Sequence, residues 1–219
     1  QVRQPGLLGR LTGRGDGPGS IGLNPPPADL LVHIPIHGDA DLYRLVRDGK
    51  RLTAMPASGQ KLTAEEIWHL VNYLRVFEAD QRLAEEAFTR GLDFAGEGNE
   101  VQALASFDET LRLSPSYAQA YNARGVIHRR LGDTSAALAD HSRAIELEPN
   151  FVEAYLNRGT DHYEAGDLAQ AILDYNRALA LDQELAPAYF ARGMALRTSG
   201  NPVAAIRDFD RALQLRPGY

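Results

Sequence analysis

The sequence predicts an all-α protein in which an α-solenoid of four helix-turn-helix repeats follows a smaller helical region. Three observations predict it. The segments "AYNARGVIHRRLGDTSAALADHSRAIELEP", "AYLNRGTDHYEAGDLAQAILDYNRALALDQ" and "AYFARGMALRTSGNPVAAIRDFDRALQLRP" align without gaps at a period of 34 residues. A fixed period of that size signals stacked helical hairpins, each burying an apolar face against its neighbour. Glycine, alanine and aromatic residues recur at fixed places in that period, as close packing of two helices requires. Upstream, Thr63-Ala-Glu-Glu66 reads as a capping box before the helical stripe Ile67, Trp68, Leu70, Val71 and Leu74.

Taken in order, residues 1–40 are punctuated by "GRGDGPGS" and "NPPPADL", which forbid a continuous helix or strand and imply a wrapped loop. Asp39 to Arg47 is a short helix candidate stopped by Gly49. The helix opened by the capping box is expected to run on through a helical junction, 77–83, into the repeats. These occupy 84–117, 118–151, 152–185 and 186–219, the first being the weakest copy.

Residues 84–219 resemble the tetratricopeptide repeat family. Its small residue at the eighth position appears as Gly91, Gly125, Gly159 and Gly193, and its alanine at the twentieth as Ala103, Ala137, Ala171 and Ala205. Its aromatic at the twenty-fourth appears as Phe107, Tyr175 and Phe209, with His141 departing, and is expected to fill space against the next repeat. Pro115, Pro149 and Pro217 end the second helices, Gln183 replacing the third. The resemblance implies a protein-interaction module that holds a protein or peptide on the concave face of its first helices. It nominates Asn122, Arg129, Leu156, Tyr163, Phe190 and Arg197 as partner-binding residues. The Lys/Asn set that clamps chaperone tails in this family is not reproduced. A fourfold arginine, Arg90, Arg124, Arg158 and Arg192, stands at the seventh position, and Asp140, Asp174 and Asp208 at the twenty-third. Structural pairing between these two sets is expected over ligand capture.

Residues 12–76 resemble small bacterial c-type cytochrome domains, through the order "TGRGDGP", "LNPPPADL", "MPA" and "LTAEEIWHLVNYLR". The resemblance implies a partial cytochrome c-like domain over 1–76, in which Met55 is an axial ligand of haem iron if the domain is complete. It also implies haem c, electron transfer to a redox partner and an extracytoplasmic parent protein. A thioether ligand favours Fe(II) and raises the potential. The family's CxxCHG would fall on Pro5 to Arg10, which reads "PGLLGR". Degeneration of the site or an upstream frame slip would account for that, and haem c is expected to be absent from this chain. Trp68 and its neighbours are then expected to lose most of their burial partners.

Charge narrows the remaining classes. Residues 1–80 carry nine basic and nine acidic residues, and 81–219 carry fourteen and twenty, so residues 81–219 hold the whole net charge of −6. Nucleic acid is excluded as the expected partner, because binding it needs a dense basic face. No apolar run approaches the ~18 residues of a membrane span. Cysteine is absent, which removes disulfides, thiolate metal sites and cysteine nucleophiles. His33 and His37 flank Pro35 and cannot share a regular helical face. His69 is expected at a rim, and His128, His141 and His162 in packing or solvent. No nucleophile–base order or carboxylate pair stands out, so the chain is expected not to be an enzyme. The runner-up to an interaction module coupled to a cytochrome is a haem-less scaffold acting only by protein–protein binding.

Overall fold

The computed structural model describes residues 63–218, without the side chains of residues 73–78. Met55, the candidate helix Asp39–Arg47, His33, His37 and "PGLLGR" lie outside the described residues, as does the side chain of Leu74. The chain divides into two compact units between Arg82 and Leu83. The described residues form helices and no strands: α1 (Ala64–Gly96), α2 (Glu100–Leu113), α3 (Ala118–Arg130), α4 (Thr134–Leu147), α5 (Val152–Glu164), α6 (Leu168–Leu181), α7 (Ala186–Thr198) and α8 (Pro202–Leu215). Helix α1 is continuous through residues 77–83, as the sequence predicts.

The capping box forms. Thr63 N–H donates to Glu66 Oε2 at 2.7 Å, and Glu66 N–H donates back to Thr63 Oγ1 at 3.2 Å. The Thr63 backbone N–H foremost, and then the Thr63 hydroxyl donating to Oε2 at 3.0 Å, hold the exposed Glu66 carboxyl below the usual carboxylate range. A carboxyl whose folded pKa is depressed contributes stability above its unfolded value, and that stability goes as pH falls through the folded value. The carbon chemical shifts of residues 64–67 should therefore lose helical character on acidification below the ordinary carboxylate range. Thr63→Ala should weaken that pH dependence without abolishing it, since it removes the hydroxyl partner and keeps the backbone N–H, the larger of the two. Further along, Ile67 and Val71 are buried, contrary to the expectation that they would lose their cover, whereas Trp68 stays 41% exposed.

Each hairpin turns in the same way. Gly98, Gly132, Gly166 and Gly200 take φ between +75° and +85°, which L side chains adopt only at a cost. The N–H of the following residue reaches back five positions, as in Asn99 to Phe94 O and Asp133 to His128 O, closing a Schellman motif. That same residue caps the next helix: Asn99, Asp133, Asp167 and Asn201 accept from the N–H three residues on. A Gly-Asn or Gly-Asp dipeptide thus ends one helix and starts the other. The 34-residue pattern by itself assigns these four glycines no role.

The eighth-position glycines admit the ring at position twenty-four of the same repeat. A Cβ built on Gly91, Gly125, Gly159 or Gly193 would lie 2.5–2.7 Å from Phe107, His141, Tyr175 or Phe209. The ring also meets the following repeat, Phe107 packing with Ile127 and Tyr175 with Ala195. The expectation that it fills space against the next repeat is therefore half of its role. Within the repeat unit, α4 packs on α5 and α6 on α7, and the first helices α3, α5 and α7 also pack on one another in sequence. First helices therefore line one face of the stack.

Candidate functional site

The arginine ladder is structural. Arg124 grips Asp140, Arg158 grips Asp174 and Arg192 grips Asp208, each through two bonds of 2.7–2.8 Å. Such planar two-point pairing suits a guanidinium and a carboxylate. The third nitrogen crosses to the preceding repeat, reaching Asp108, Ser142 and Asn176 respectively. Each guanidinium also lies over the ring of Tyr121, Tyr155 or Tyr189. The aspartate bonds hold the arginine protons more firmly than water would. Arg90 meets a serine at position twenty-three and turns instead to Glu109 at 2.7 Å. His128 and His162 lie 3.8 and 3.9 Å from Asp140 and Asp174, and His69 is exposed, in keeping with packing and rim roles.

The six nominated contact residues fall on the first helices. Asn122 and Arg129 are seven residues apart on α3, as are Leu156 and Tyr163 on α5 and Phe190 and Arg197 on α7. Two helical turns bring each pair back to one side of its helix. Phe190 and Arg197 are exposed, and the other four are half-buried. The Tyr163 hydroxyl lies 3.4 Å from Thr198 Oγ1 on the next first helix, and Phe190 stacks obliquely on Phe209 with centroids 5.7 Å apart.

Between the second and third repeats the packing becomes polar. His141, the departure from the aromatic pattern, is fully buried in the ring position over Gly125. Its Nδ1 lies 2.5 Å from Asp161 Oδ2, and Asp161 is itself fully buried. A carboxylate only accepts, so Nδ1 carries the proton and donates. The equivalent meetings in the neighbouring repeats are Phe107 with Ile127 and Tyr175 with Ala195, both apolar. The second oxygen of Asp161 accepts from Arg129 Nη1 at 3.1 Å. Arg129 also bonds Asn157 O at 3.2 Å and Asn157 Oδ1 at 3.4 Å, and Asn157 Nδ2 donates to Asn122 Oδ1 at 2.9 Å. Two nominated residues, Asn122 and Arg129, are thus joined through a network that begins in the core. The sequence signal for it was His141 in the aromatic position; Asp161 stands where the second and fourth repeats carry Ile127 and Ala195, but only the stacking connects the two.

Among the described residues no group of three or more His, Cys, Asp or Glu could hold a metal ion, and no helix is long and apolar enough to cross a membrane. Covalent haem c needs two cysteine thiols, and the sequence contains none, so the residues present do not fit that cofactor.

The tetratricopeptide repeat family matches the chain over residues 118–151 and again over 156–219. No curated protein matches it in sequence. Among solved structures, MamA superposes with a TM-score of 0.58 at 25% identity, covering 67% of this chain and 85% of MamA. A tetratricopeptide repeat protein from Parabacteroides merdae ATCC 43184 gives 0.56 at 26% identity, covering 63% and 55%. The first repeat domain of Spaghetti (RPAP3), bound to the HSP90 peptide SRMEEVD, gives 0.54 at 20% identity over 54% and 94%, a likeness of fold alone. Residues 118–151 and 156–219 are therefore tetratricopeptide repeats, and the helical stack they form has that family's fold.

Proposed function

We propose that the repeat array is a protein-interaction module that takes an extended segment of a partner along the face of its first helices. The observation that carries this reading is the side-by-side packing of α3, α5 and α7, which puts Asn122, Leu156, Tyr163, Phe190 and Arg197 on successive first helices. Half-buried apolar side chains interleaved with polar ones suit a peptide that lays alternate side chains into pockets. The RPAP3 domain, which shares the fold, holds a peptide in its solved complex, and that supports the class of ligand rather than its sequence. The experiment is selection of a random dodecapeptide display library on the immobilised chain. Leu156→Glu and Phe190→Ala should each weaken a selected peptide at least about tenfold, as loss of a buried anchor does, with the helical circular dichroism unchanged. Selected peptides indifferent to both substitutions would sink the reading.

The haem-less form of the function is the one favoured, because the sequence has no cysteine with which to attach haem c. Met55 is then a side chain of a cytochrome-like segment and not an iron ligand. No electron-transfer step, redox partner or enzymatic reaction is assigned to the chain. Coexpression with haem-attachment machinery should yield a polypeptide that is haem-negative by peroxidase staining on a denaturing gel. A haem-positive band would overturn this half of the proposal.

A further inference from the structure

The junctions between successive repeats are built alike, and the first and fourth repeats each carry one open half of such a junction. At a junction the second helix of one repeat offers positions twenty-one, twenty-four and twenty-eight, and the next first helix covers them with positions three and ten. The covering residues Ala120, Ala154, Ala188, Ile127, Asp161 and Ala195 are all buried. On α8 the offering face is open. Ile206 is 58% and Leu213 46% exposed, and Phe209 is only half-buried, where Phe107, His141 and Tyr175 are buried. On α1 the covering face is open too, since Glu86 and Asp93 at positions three and ten are exposed. Side-chain ion pairs cross the junctions in two ways. A position-seven arginine reaches back to position twenty-five, as Arg124 does to Asp108 at 2.6 Å. A position-twelve arginine reaches forward to position ten, as Arg129 does to Asp161 at 3.1 Å. The fourth repeat holds Asp210 at twenty-five and Arg197 at twelve, and the first holds Arg90 at seven and Asp93 at ten; all four are exposed.

We propose that these two faces take each other: the first repeat of a second copy of the chain stacks on the fourth repeat, in the manner of the internal junctions. In that register the partner's Asp93 meets Arg197 and the partner's Arg90 meets Asp210, so both crossing pairs form with opposite charges. The wider surfaces agree. Residues 186–219 carry five basic and two acidic residues, whereas 84–117 carry two and seven. First and fourth repeats of different copies therefore attract, and two fourth repeats repel. That repulsion disfavours a two-fold pairing of α8 with α8. The apolar stripe of Ile206, Phe209 and Leu213 supplies the non-polar part of the contact. Glu86 stands where the other first helices bury an alanine, which keeps this contact looser than an internal junction and reversible. Because the two faces differ, each pair of copies leaves one of each kind open, and growth continues into longer assemblies. The inference goes beyond the groove reading and does not depend on it.

The test is sedimentation velocity of the full 219-residue chain from micromolar to millimolar concentration. The mean mass should rise with concentration past that of a dimer, and the rise should shrink as salt screens the charge pairs. Arg197→Asp and Asp93→Arg each bring like charges together, and each should weaken self-association at least about tenfold. Both positions are exposed, so the helical circular dichroism should not change. An equimolar mixture of the two variants should associate again, because each then finds the opposite charge on the other. Ile206→Ser removes apolar contact without touching a charge, and it should weaken association as well. A chain that stays monomeric throughout, a mass that levels off at a dimer, or variants that mixing does not rescue would each overturn the proposal. A monomeric chain that still selects peptides would strike this inference and leave the groove reading standing.

Discussion

Replacing Asp161 by alanine should destabilise the repeat array by about 3–5 kcal/mol, the cost of removing one partner from a buried ion pair. The carboxylate is fully buried between His141 Nδ1 and Arg129 Nη1; the first has no other acceptor among the described residues, and the second keeps only the neutral Asn157 carbonyl. Alanine would leave an imidazole N–H unbonded in the core and a partly buried guanidinium without its anion. The double change His141→Phe with Asp161→Ile copies the meeting of Phe107 and Ile127 one repeat earlier. It should recover most of the loss, because well-packed apolar side chains often match or exceed a buried ionic set. Urea unfolding monitored by circular dichroism compares the three proteins. A cost below about 1 kcal/mol for Asp161→Ala would mean that the junction relaxes to hydrate the orphaned groups, against the burial seen here.

Gly159→Ala should also destabilise, by roughly 1–3 kcal/mol, although alanine is the better helix former. The propensity gain is about 1 kcal/mol at most. Against it, the new methyl would stand 2.7 Å from the Tyr175 ring and 3.2 Å from the backbone oxygen of Ala171. Tyr175 is almost fully buried, so neither neighbour can give way cheaply. Tyr175→Leu should make the alanine tolerable, a coupling that a double-mutant cycle reads directly. Gly96, the last residue of α1, has nothing within 4 Å of its built Cβ, and Gly96→Ala should stabilise by roughly 0.5–1 kcal/mol. Opposite signs at two helical glycines separate packing from propensity.

Much of this was legible in the residues. Thr63 and Glu66 declared their helix start because a capping box is local, spanning four residues. The recurrence of arginine at position seven and aspartate at twenty-three announced pairs that form at 2.7–2.8 Å. Met55 and "PGLLGR", on which the haem-site resemblance turns, lie outside the described residues, and its bearing on function comes from the absence of cysteine. His141 was visible as an exception to the aromatic pattern, but its partner was not. Asp161 lies twenty residues on, and read alone it is one more acidic residue on an acidic chain.

The sequence by itself determined the helices, their period and the arginine–aspartate ladder, because all of these arise within one repeat or from strict repetition of it. The tertiary structure alone decided how neighbouring repeats meet. Stacking brings position twenty-four of one repeat onto position ten of the next, so that Phe107 finds Ile127, Tyr175 finds Ala195 and His141 finds Asp161. It also decided that Arg129, nominated for partner contact, spends part of its fork inside the protein and offers only the remainder. Spacing along a chain fixes which side of a helix a residue occupies, whereas only packing fixes what stands opposite.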